Sequence, residues 1–471
     1  MRFLTISLIF LTTWVSAQEQ WDLENCINYA LQNNIQIKQQ ELNTIIQKNQ
    51  LRQSKIDLAP NLNGSLSRNY SYGRSVDPYT NQFNEEKNLN DNYSINSQVT
   101  LFRGFQKINT IKKNRLNLKA NLADLEKFKN DISLNISSAY LNVLFNQELL
   151  ETAQNQLIIT NEQEDRTRKL VDAGSLARGD LLEIQAQKSN EELQIVNSEN
   201  QLAISILNLK QMLELDTLND FEIVRPNVTI DQVEMPLNID EVFEYASQNL
   251  PQVMSAQYRL ESNQKELSIA KGGRSPQLTF GTGLNSGYSD ARKEVDNYTM
   301  SYQPNMGYAE DASGNQLPTY VLSPNYSYKT KSFSDQLNDN MNAYAVITLN
   351  IPILNGWQIN TNISNSKINV LNARYSLDLE KKNLYKEIQQ KYLDALSAKK
   401  KYKATESSLQ SAQEFFAYTQ KKFDVGMINT LDYNLAKNKV TKSQSDLLQA
   451  KYEYIFAVKI LDFYQGKAIK L

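Results

Sequence analysis

Apolar positions along this chain change their period several times, and the changes come in the same order twice. From about residue 22 to 58, Leu23, Ile27, Ala30, Leu31, Ile35 and Ile37 follow helical spacing, and the pattern stops before Pro60. Proline disfavours helical backbone in the residue before it, so a first helix is expected to end there. Over about 61–73 the period becomes two: Leu62, Leu66, Tyr70 and Tyr72 share one face, and Asn61, Asn63, Ser65, Ser67, Asn69 and Ser71 the other. That alternation predicts a strand with one apolar and one wet face. After a loop of Asn, Asp and Tyr it returns over about 92–102, with Tyr93, Ile95, Val99 and Leu101 set against Asn92, Ser94, Asn96, Gln98 and Thr100. A helical pattern then runs from Gly104 to about Asp172 with no proline or glycine inside it. At about 1.5 Å per residue it would be on the order of 100 Å long, beyond any compact domain.

The second statement of this plan occupies 238–471, the first 18–215, and 216–237 reads as the linker between them. Ala30, Asn33, Pro60 and Leu62 recur 216 positions later as Ala246, Asn249, Pro276 and Leu278. After the first strand the offset becomes 252, so that Gly104, Tyr140, Leu144, Lys169, Asp172, Gly174 and Asp180 return as Gly356, Tyr392, Leu396, Lys421, Asp424, Gly426 and Asp432. Strands are expected at about 277–288 and 342–353, and a second long helix at about 357–424. The intervening segment, about 290–340, reads as a long polar loop rich in Tyr, Asn, Ser, Asp and Pro. A repeat this large means that the second copy builds the same shape beside the first.

The first long helix carries a stripe at alternating steps of four and three, Leu118, Leu122, Leu125, Lys129, Ile132, Ile136, Ala139, Val143, Asn146, Leu150, Ala153 and Leu157, which predicts coiled-coil packing. The matching stripe between Val370 and Leu409 is weaker, with charged residues at three positions. Each long helix ends at a glycine turn, where Gly174 and Gly426 suit the left-handed closing residue. Asp180, and Thr430 or Asp432, are expected to start the returning helices, near 180–213 and 431–464.

Composition narrows the function. Met1-Arg2, an apolar run from Phe3 to Val15 and small Ser16-Ala17 before Gln18 form an expected secretory signal over 1–17. Cys26 is the one cysteine, so no disulfide can form within the chain, and it stands too far past the expected cut for a lipid anchor. Fifty basic and 52 acidic residues give a net charge of −2, which argues against a nucleic-acid surface. Histidine is absent, removing the commonest metal ligand and the side chain best suited to proton transfer near neutrality. No carboxylate pair stands out for glycosidase chemistry, and no catalytic, cofactor-binding or metal-ligating residue is expected.

Four amphipathic strands of roughly ten residues match the length of a transmembrane β-strand. Four cannot close, and an open sheet in lipid leaves backbone groups unpaired on both edges. Three chains would supply twelve strands, an even number within the known range. The helices would then project from the barrel as a tube.

The two-copy plan, the opening segment Leu23–Asn34 with its counterpart near Ile239, and the paired turns Gly174 to Asp180 and Gly426 to Asp432 resemble the TolC-type outer membrane efflux proteins over essentially the whole mature chain. The resemblance implies a mainly α protein with a small membrane β portion: a homotrimer with a twelve-stranded outer membrane β-barrel and a long periplasmic α-helical barrel. It implies docking to a periplasmic adaptor and an inner membrane pump, outer membrane lipid around the barrel, and passage of small molecules or secreted proteins. It puts Gly174, Asp180, Gly426 and Asp432 at the periplasmic tip where the adaptor docks, and Phe423 and Asp432 at the gate. Phe423 stands where the family's prototype has a gate tyrosine, and Asp432 where it has the first of two constriction carboxylates. The second is Leu435 here and the gate arginine is Ile428, so the gate network departs from the family pattern.

Blander readings account for several of these residues. Gly174 and Gly426 serve as helix terminators, Asp180 and Asp432 as helix caps, and Tyr70, Tyr72, Tyr93, Tyr288 and Tyr344 either form an interfacial girdle or are simply good strand residues. A periplasmic coiled-coil tether or adaptor without a pore explains the signal and the helices but not four matched amphipathic strands. An exported glycan-acting enzyme explains the tyrosine-rich loop and little else.

Overall fold

The computed structural model describes residues 20–76, 81–84, 88–215, 221–226, 235 and 238–469; the expected signal peptide and most of the 216–237 linker lie outside them. In chain order the elements are β1 (Gln20–Trp21), α1 (Leu23–Asn33), α2 (Ile35–Ile56), β2 (Asn61–Ser71), β3 (Ser75–Val76), β4 (Phe83–Asn84), β5 (Asn88–Arg103), α3 (Gln106–Asp172), α4 (Arg178–Met212), β6 (Glu222–Ile223), α5 (Ile239–Asn249), α6 (Pro251–Gly272), β7 (Gln277–Ser289), β8 (Lys293–Glu310), β9 (Gln316–Thr330), α7 (Phe333–Asp339), β10 (Asn342–Asn350), α8 (Gln358–Asp424) and α9 (Thr430–Tyr464). They fall into two compact units: a helical one drawn from 1–50, 114–263 and 369–471, and one from 51–113 and 264–368 that carries the sheets β2 to β5 and β7 to β10.

The expected single helix over 22–58 is two helices, because the backbone is extended at Asn34, with ψ of 125°. The Asn34 side chain accepts hydrogen bonds from the amides of Gln36 and Ile37 at 3.0 and 3.2 Å, restarting the helix as an N-cap does. The second copy breaks at the equivalent place by other means. There Pro251 opens α6, and Leu250 before it is extended, as a residue preceding proline must be.

The helical unit builds its apolar core in three clusters: two that repeat one another, and a third that joins Ala395 and Ala398 of α8 to Tyr454, Val458 and Leu461 of α9. Around α1 the buried residues Cys26 and Ala30 meet Ile136, Tyr140 and Val143 of α3 and Leu209 of α4. Around α5 and α6 the buried Val242, Ala246 and Val253 meet Leu377, Leu384 and Ile388 of α8 and Ile460 of α9. Ala30 and Ile136 correspond to Ala246 and Ile388 at the two repeat offsets. The α3 stripe differs in detail from expectation. Leu122 is exposed, whereas Ala123, Tyr140, Leu141 and Leu144, off the expected line, are buried, since α3 contacts α1 as well as its coiled-coil neighbours. The linker also takes part: β6 pairs in parallel with β1, and the Tyr140 hydroxyl donates to the Val224 carbonyl at 2.6 Å and the Trp21 carbonyl at 3.3 Å, tying both short strands to α3.

In the other unit the sheet order is β10-β7-β5-β2, entirely antiparallel, with β2 and β10 as edges. Opposed pairs such as Leu66 with Tyr93, Ile95 with Leu284, and Phe280 with Ile347 gather the apolar residues on one face. Asn63 with Asn96, Ser65 with Ser94, and Thr279 with Thr348 gather polar ones on the other. Tyr344 corrects the girdle expectation: it lies on the polar face, where its hydroxyl donates to Asn96 Oδ1 at 3.1 Å and its ring fills the space a Gly283 side chain would need. Strand passes to helix through two consecutive left-handed residues in both copies, Gly104 and Phe105 at φ of 55° and 58°, Gly356 and Trp357 at 59° and 67°. Holding a bulky aromatic there costs about 1–2 kcal/mol.

The segment expected as a loop, 290–340, is ordered structure. β8 and β9 form a long antiparallel hairpin, and α7 follows it. The period was disguised by bulges between Val295 and Asn297 and between Pro304 and Tyr308, each of which shifts the register.

Replacing Tyr140 with Phe should cost about 1–3 kcal/mol, the range for stranding buried hydrogen-bonding groups. Chemical denaturation of the detergent-solubilised protein, followed by circular dichroism, measures it.

Candidate functional site: the polar sheet face and the helical turns

On the polar face of the sheet small hydrogen-bonding side chains stand in rows. Ser65 and Ser94 hydroxyls are 2.6 Å apart, Asn61 accepts from the Gln98 amide at 2.8 Å, and the Asn96 amide donates to Ser94 at 3.2 Å. The face carries no charged side chain on β2 or β7, so it can hydrate a solute without binding it tightly. The opposite face is mostly apolar and exposed in the single chain: Leu62 is 74 %, Leu66 69 % and Ile347 67 % accessible, and the same face carries the Arg68–Asp91 ion pair at 2.7 Å.

In the helical unit the two long helices close identically. Ser175 N–H donates to the Leu170 carbonyl at 2.8 Å and Met427 N–H to the Lys422 carbonyl at 2.9 Å, bonds that span six residues, with Gly174 and Gly426 at φ of 76° and 72°. α4 begins at Arg178, two residues before the expected 180, and α9 begins at Thr430, one of the two starters expected. Ala177 and Asn429 are the capping positions, and both aspartates are third residues of their helices. Asp180 Oδ2 accepts from the Ala177 amide at 3.1 Å, and its Oδ1 accepts from the Thr430 hydroxyl at 3.0 Å. One expected tip residue therefore fastens the first turn to the second. Asn429 caps α9 by accepting from the Asp432 amide at 2.8 Å, which leaves the Asp432 carboxylate at the exposed surface. Arg166 and Asp424, at the ends of α3 and α8, pair at 2.5 Å.

Phe423 does not stand apart as a gate side chain in the single chain. Its ring lies 4.8 Å from that of Tyr433, which is buried and also meets Phe416 at 5.3 Å. Burial, then the Asp424 charge, push the Tyr433 phenol up to about 12. Farther along the helices lies a buried charged cluster that the sequence pattern did not reveal. Lys437 of α9 pairs with Glu191 of α4 at 3.2 Å and donates to the Gln156 carbonyl of α3, also at 3.2 Å, while the Thr160 hydroxyl joins both charged groups. Burial pushes the Lys437 ammonium below the ordinary lysine value, and Glu191 pulls it back. The one available signal was a difference between copies: the counterparts of Lys437 and Glu191 are Gln185 and Ser443. Beside this cluster a polar groove of about 380 Å³ is lined by Gln187, Asn190, Glu191 and Asn438 among others.

Nearby, Glu164 is buried and accepts from Gln185 at 3.1 Å, Arg168 at 2.5 Å and Lys188 at 3.1 Å. The Gln185 hydrogen bond, opposed by burial and aided by Lys188 and Arg168, holds its carboxyl below the usual range. Among the described residues no group of three or more acidic or cysteine side chains could hold a metal ion, and no helix is long and apolar enough to cross a membrane.

The arrangement combines a sheet polar on one face and mostly apolar on the other with long helical hairpins closed by glycine turns. The model of the outer membrane efflux protein family matches residues 26–214 and 242–467, and the chain belongs to that family. It is 22 % identical over 346 residues to the alkaline protease secretion protein AprF of Pseudomonas aeruginosa, a match covering 72 % of this chain and 63 %, just under two thirds, of that relative. Its fold is that of solved outer membrane channels. CusC superposes with a TM-score of 0.75 at 16 % identity, covering 95 % of this chain and 92 % of CusC. VceC of Vibrio cholerae gives 0.70 at 13 % identity over 95 % and 97 % of the two chains. CmeC of Campylobacter jejuni gives 0.70 at 15 % over 94 % and 85 %.

Because the Glu164 carboxyl is depressed in the folded state, its stabilisation is complete above the ordinary value of 4.5 and is lost as pH falls through the folded value. Glu164→Gln should lower the unfolding temperature at pH 7 and narrow the gap between neutral and acid unfolding temperatures, read by circular dichroism in detergent.

Proposed function

We propose that three copies of this chain form an outer membrane exit duct that works with a periplasmic adaptor and an inner membrane pump, passing small molecules or secreted proteins to the exterior. The carrying observation is the four-stranded sheet, apolar on one face and polar on the other, with both edges open. In lipid each unpaired edge group costs several kcal/mol, so the edges must pair with other copies; twelve strands then close, with apolar residues outside and Asn, Ser and Thr facing water.

The repeat supports the same closure. A side chain at Gly104 would meet the Gly272 carbonyl at 2.4 Å, because the end of α6 packs on the strand-to-helix junction of the first copy. At the equivalent Gly356 nothing lies within 4 Å of that position, and Ile353, Leu354 and Trp357 around it are exposed. The equivalent helix end is near Ile56 of α2, and in the trimer it comes from the neighbouring chain. A pore-free periplasmic tether has no use for the exposed apolar sheet face.

At the other end, the Gly174 and Gly426 turns and Asp180 form the docking tip, and Val425, Met427 and Leu431, all exposed, offer the adaptor an apolar surface. Asp432, its carboxylate not drawn into capping, forms the charged ring of the gate, and Phe423 sets that segment through Tyr433.

Within the chain Ser97 stands opposite Thr282. Carrying that pair through the two repeat offsets places Leu349 of one copy opposite Leu66 of the next. In a Cys26→Ala background, Leu66→Cys with Leu349→Cys should give chains linked to one another under oxidation, and the purified particle should conduct ions in planar bilayers. A soluble monomer without conductance would overturn the duct.

Asp432→Asn should reduce preference for cations and weaken block by multivalent cations, because a ring of three carboxylates attracts them. Unchanged selectivity would remove Asp432 from the gate.

A further inference from the structure

The β8–β9 hairpin presents an unusual surface. Its register opposes Tyr298 with Tyr326, Tyr302 with Leu322 and Pro304 with Tyr320, so one face is aromatic and apolar along its length. The reverse face pairs Thr299 with Asn325 and Ser301 with Ser323. Tyr302 is 73 % and Tyr326 47 % accessible, and the rings of Tyr298 and Tyr326 lie 6.3 Å apart along the face. Over the seven residue pairs from Tyr298–Tyr326 to Pro304–Tyr320, at about 3.4 Å per residue and about 5 Å of width per strand, the face covers roughly 240 Å². An isolated two-stranded hairpin is marginal in water, so this face gains stability from a partner surface.

We propose that this face is an interface between copies of the chain: the aromatic faces of the three hairpins pack together at the outer mouth of the duct. The proposal rests on the trimeric duct reading above. Three observations select a second copy as the occupant. The hairpin is inserted between β7 and β10, at the sheet end opposite the helix junctions, and β10 is the edge that pairs with the next chain, so the hairpin is rooted at the seam. Tyrosine and methionine are the side chains enriched in protein interfaces. The paired residues of the face from Tyr298 to Pro304 and from Tyr320 to Tyr326 include no lysine or arginine, the residues that phosphate-bearing lipid headgroups recruit. Where the three faces meet on the threefold axis the same residue of each hairpin lies near its own copies, so a single substituted position can be linked to itself.

The test uses the full chain in a Cys26→Ala background with one further substitution, Tyr302→Cys or Leu322→Cys on the aromatic face, Ser301→Cys or Ser323→Cys on the reverse. Particle mass is measured in detergent, and a short bismaleimide is applied in outer membrane vesicles. The expected result is a three-chain particle in which the aromatic positions give covalent dimers on denaturing gels and the reverse positions stay monomeric. A three-chain particle whose aromatic positions fail to link, or link no better than the reverse ones, overturns the hairpin interface and leaves the duct standing. A single-chain particle overturns both. Quenching of a fluorophore on Tyr302→Cys by spin-labelled lipid, without cross-links, assigns the face to the membrane and likewise overturns it.

Discussion

The unpaired amide and carbonyl groups along β2 and β10 govern most of what this chain must be. Water can satisfy such groups, but hydrocarbon cannot, and the exposed face bearing Leu62, Leu66 and Ile347 suits hydrocarbon. One surface thus demands lipid while the edges forbid it to a single chain. In the proposed assembly, pairing between copies resolves the conflict, and β5 with β7, which already join the two repeats within one chain, supply the pattern for joining chains. In that proposed assembly the polar face, with its rows of Ser and Asn, is the side turned from lipid and encloses water.

Repetition of shape did not require repetition of chemistry. The first copy interrupts its leading helix with the Asn34 side chain, the second with Pro251, and both satisfy the same restart of backbone hydrogen bonding. Both long helices end in the same glycine closure, whose left-handed residue leaves little freedom of choice. Where the copies differ, the differences gather around specialised structure. Lys437 and Glu191 link α9 to α4 in a buried pair with no counterpart, and Asp180 is drawn to Thr430 while Asp432 stays at the surface. Burying an ion pair is weak evidence for stability, but removing one partner leaves the other charge uncompensated.

Strand alternation around Leu62 and Val99, the long helices, the glycine turns and the doubled plan were legible because each depends on residues a few positions apart, and a period survives in the chain whatever packs against it. The break at Asn34 was not, since an asparagine inside a helical pattern declares nothing until its side chain turns back to the amides of Gln36 and Ile37. The hairpin of β8 and β9 was hidden by its two bulges, which scramble strict alternation, and by prolines that read as loop. That Tyr344 reaches Asn96 and fills the space over Gly283 was not legible, because alternation gives a residue's face but not its cross-strand partners.

By itself, then, the sequence determined the four strands of the main sheet, the long helices with their glycine turns, their order, the two faces of those strands and the family, all consequences of local spacing and of repetition at fixed offsets. Only the tertiary structure decided that Lys437 meets Glu191 across 246 positions, that Phe423 rests on Tyr433, and that the 290–340 segment carries an aromatic face. Those facts depend on which distant surfaces come into contact, and contact at long range is set by the packing of whole helices and by strand register, neither of which leaves a period in the chain.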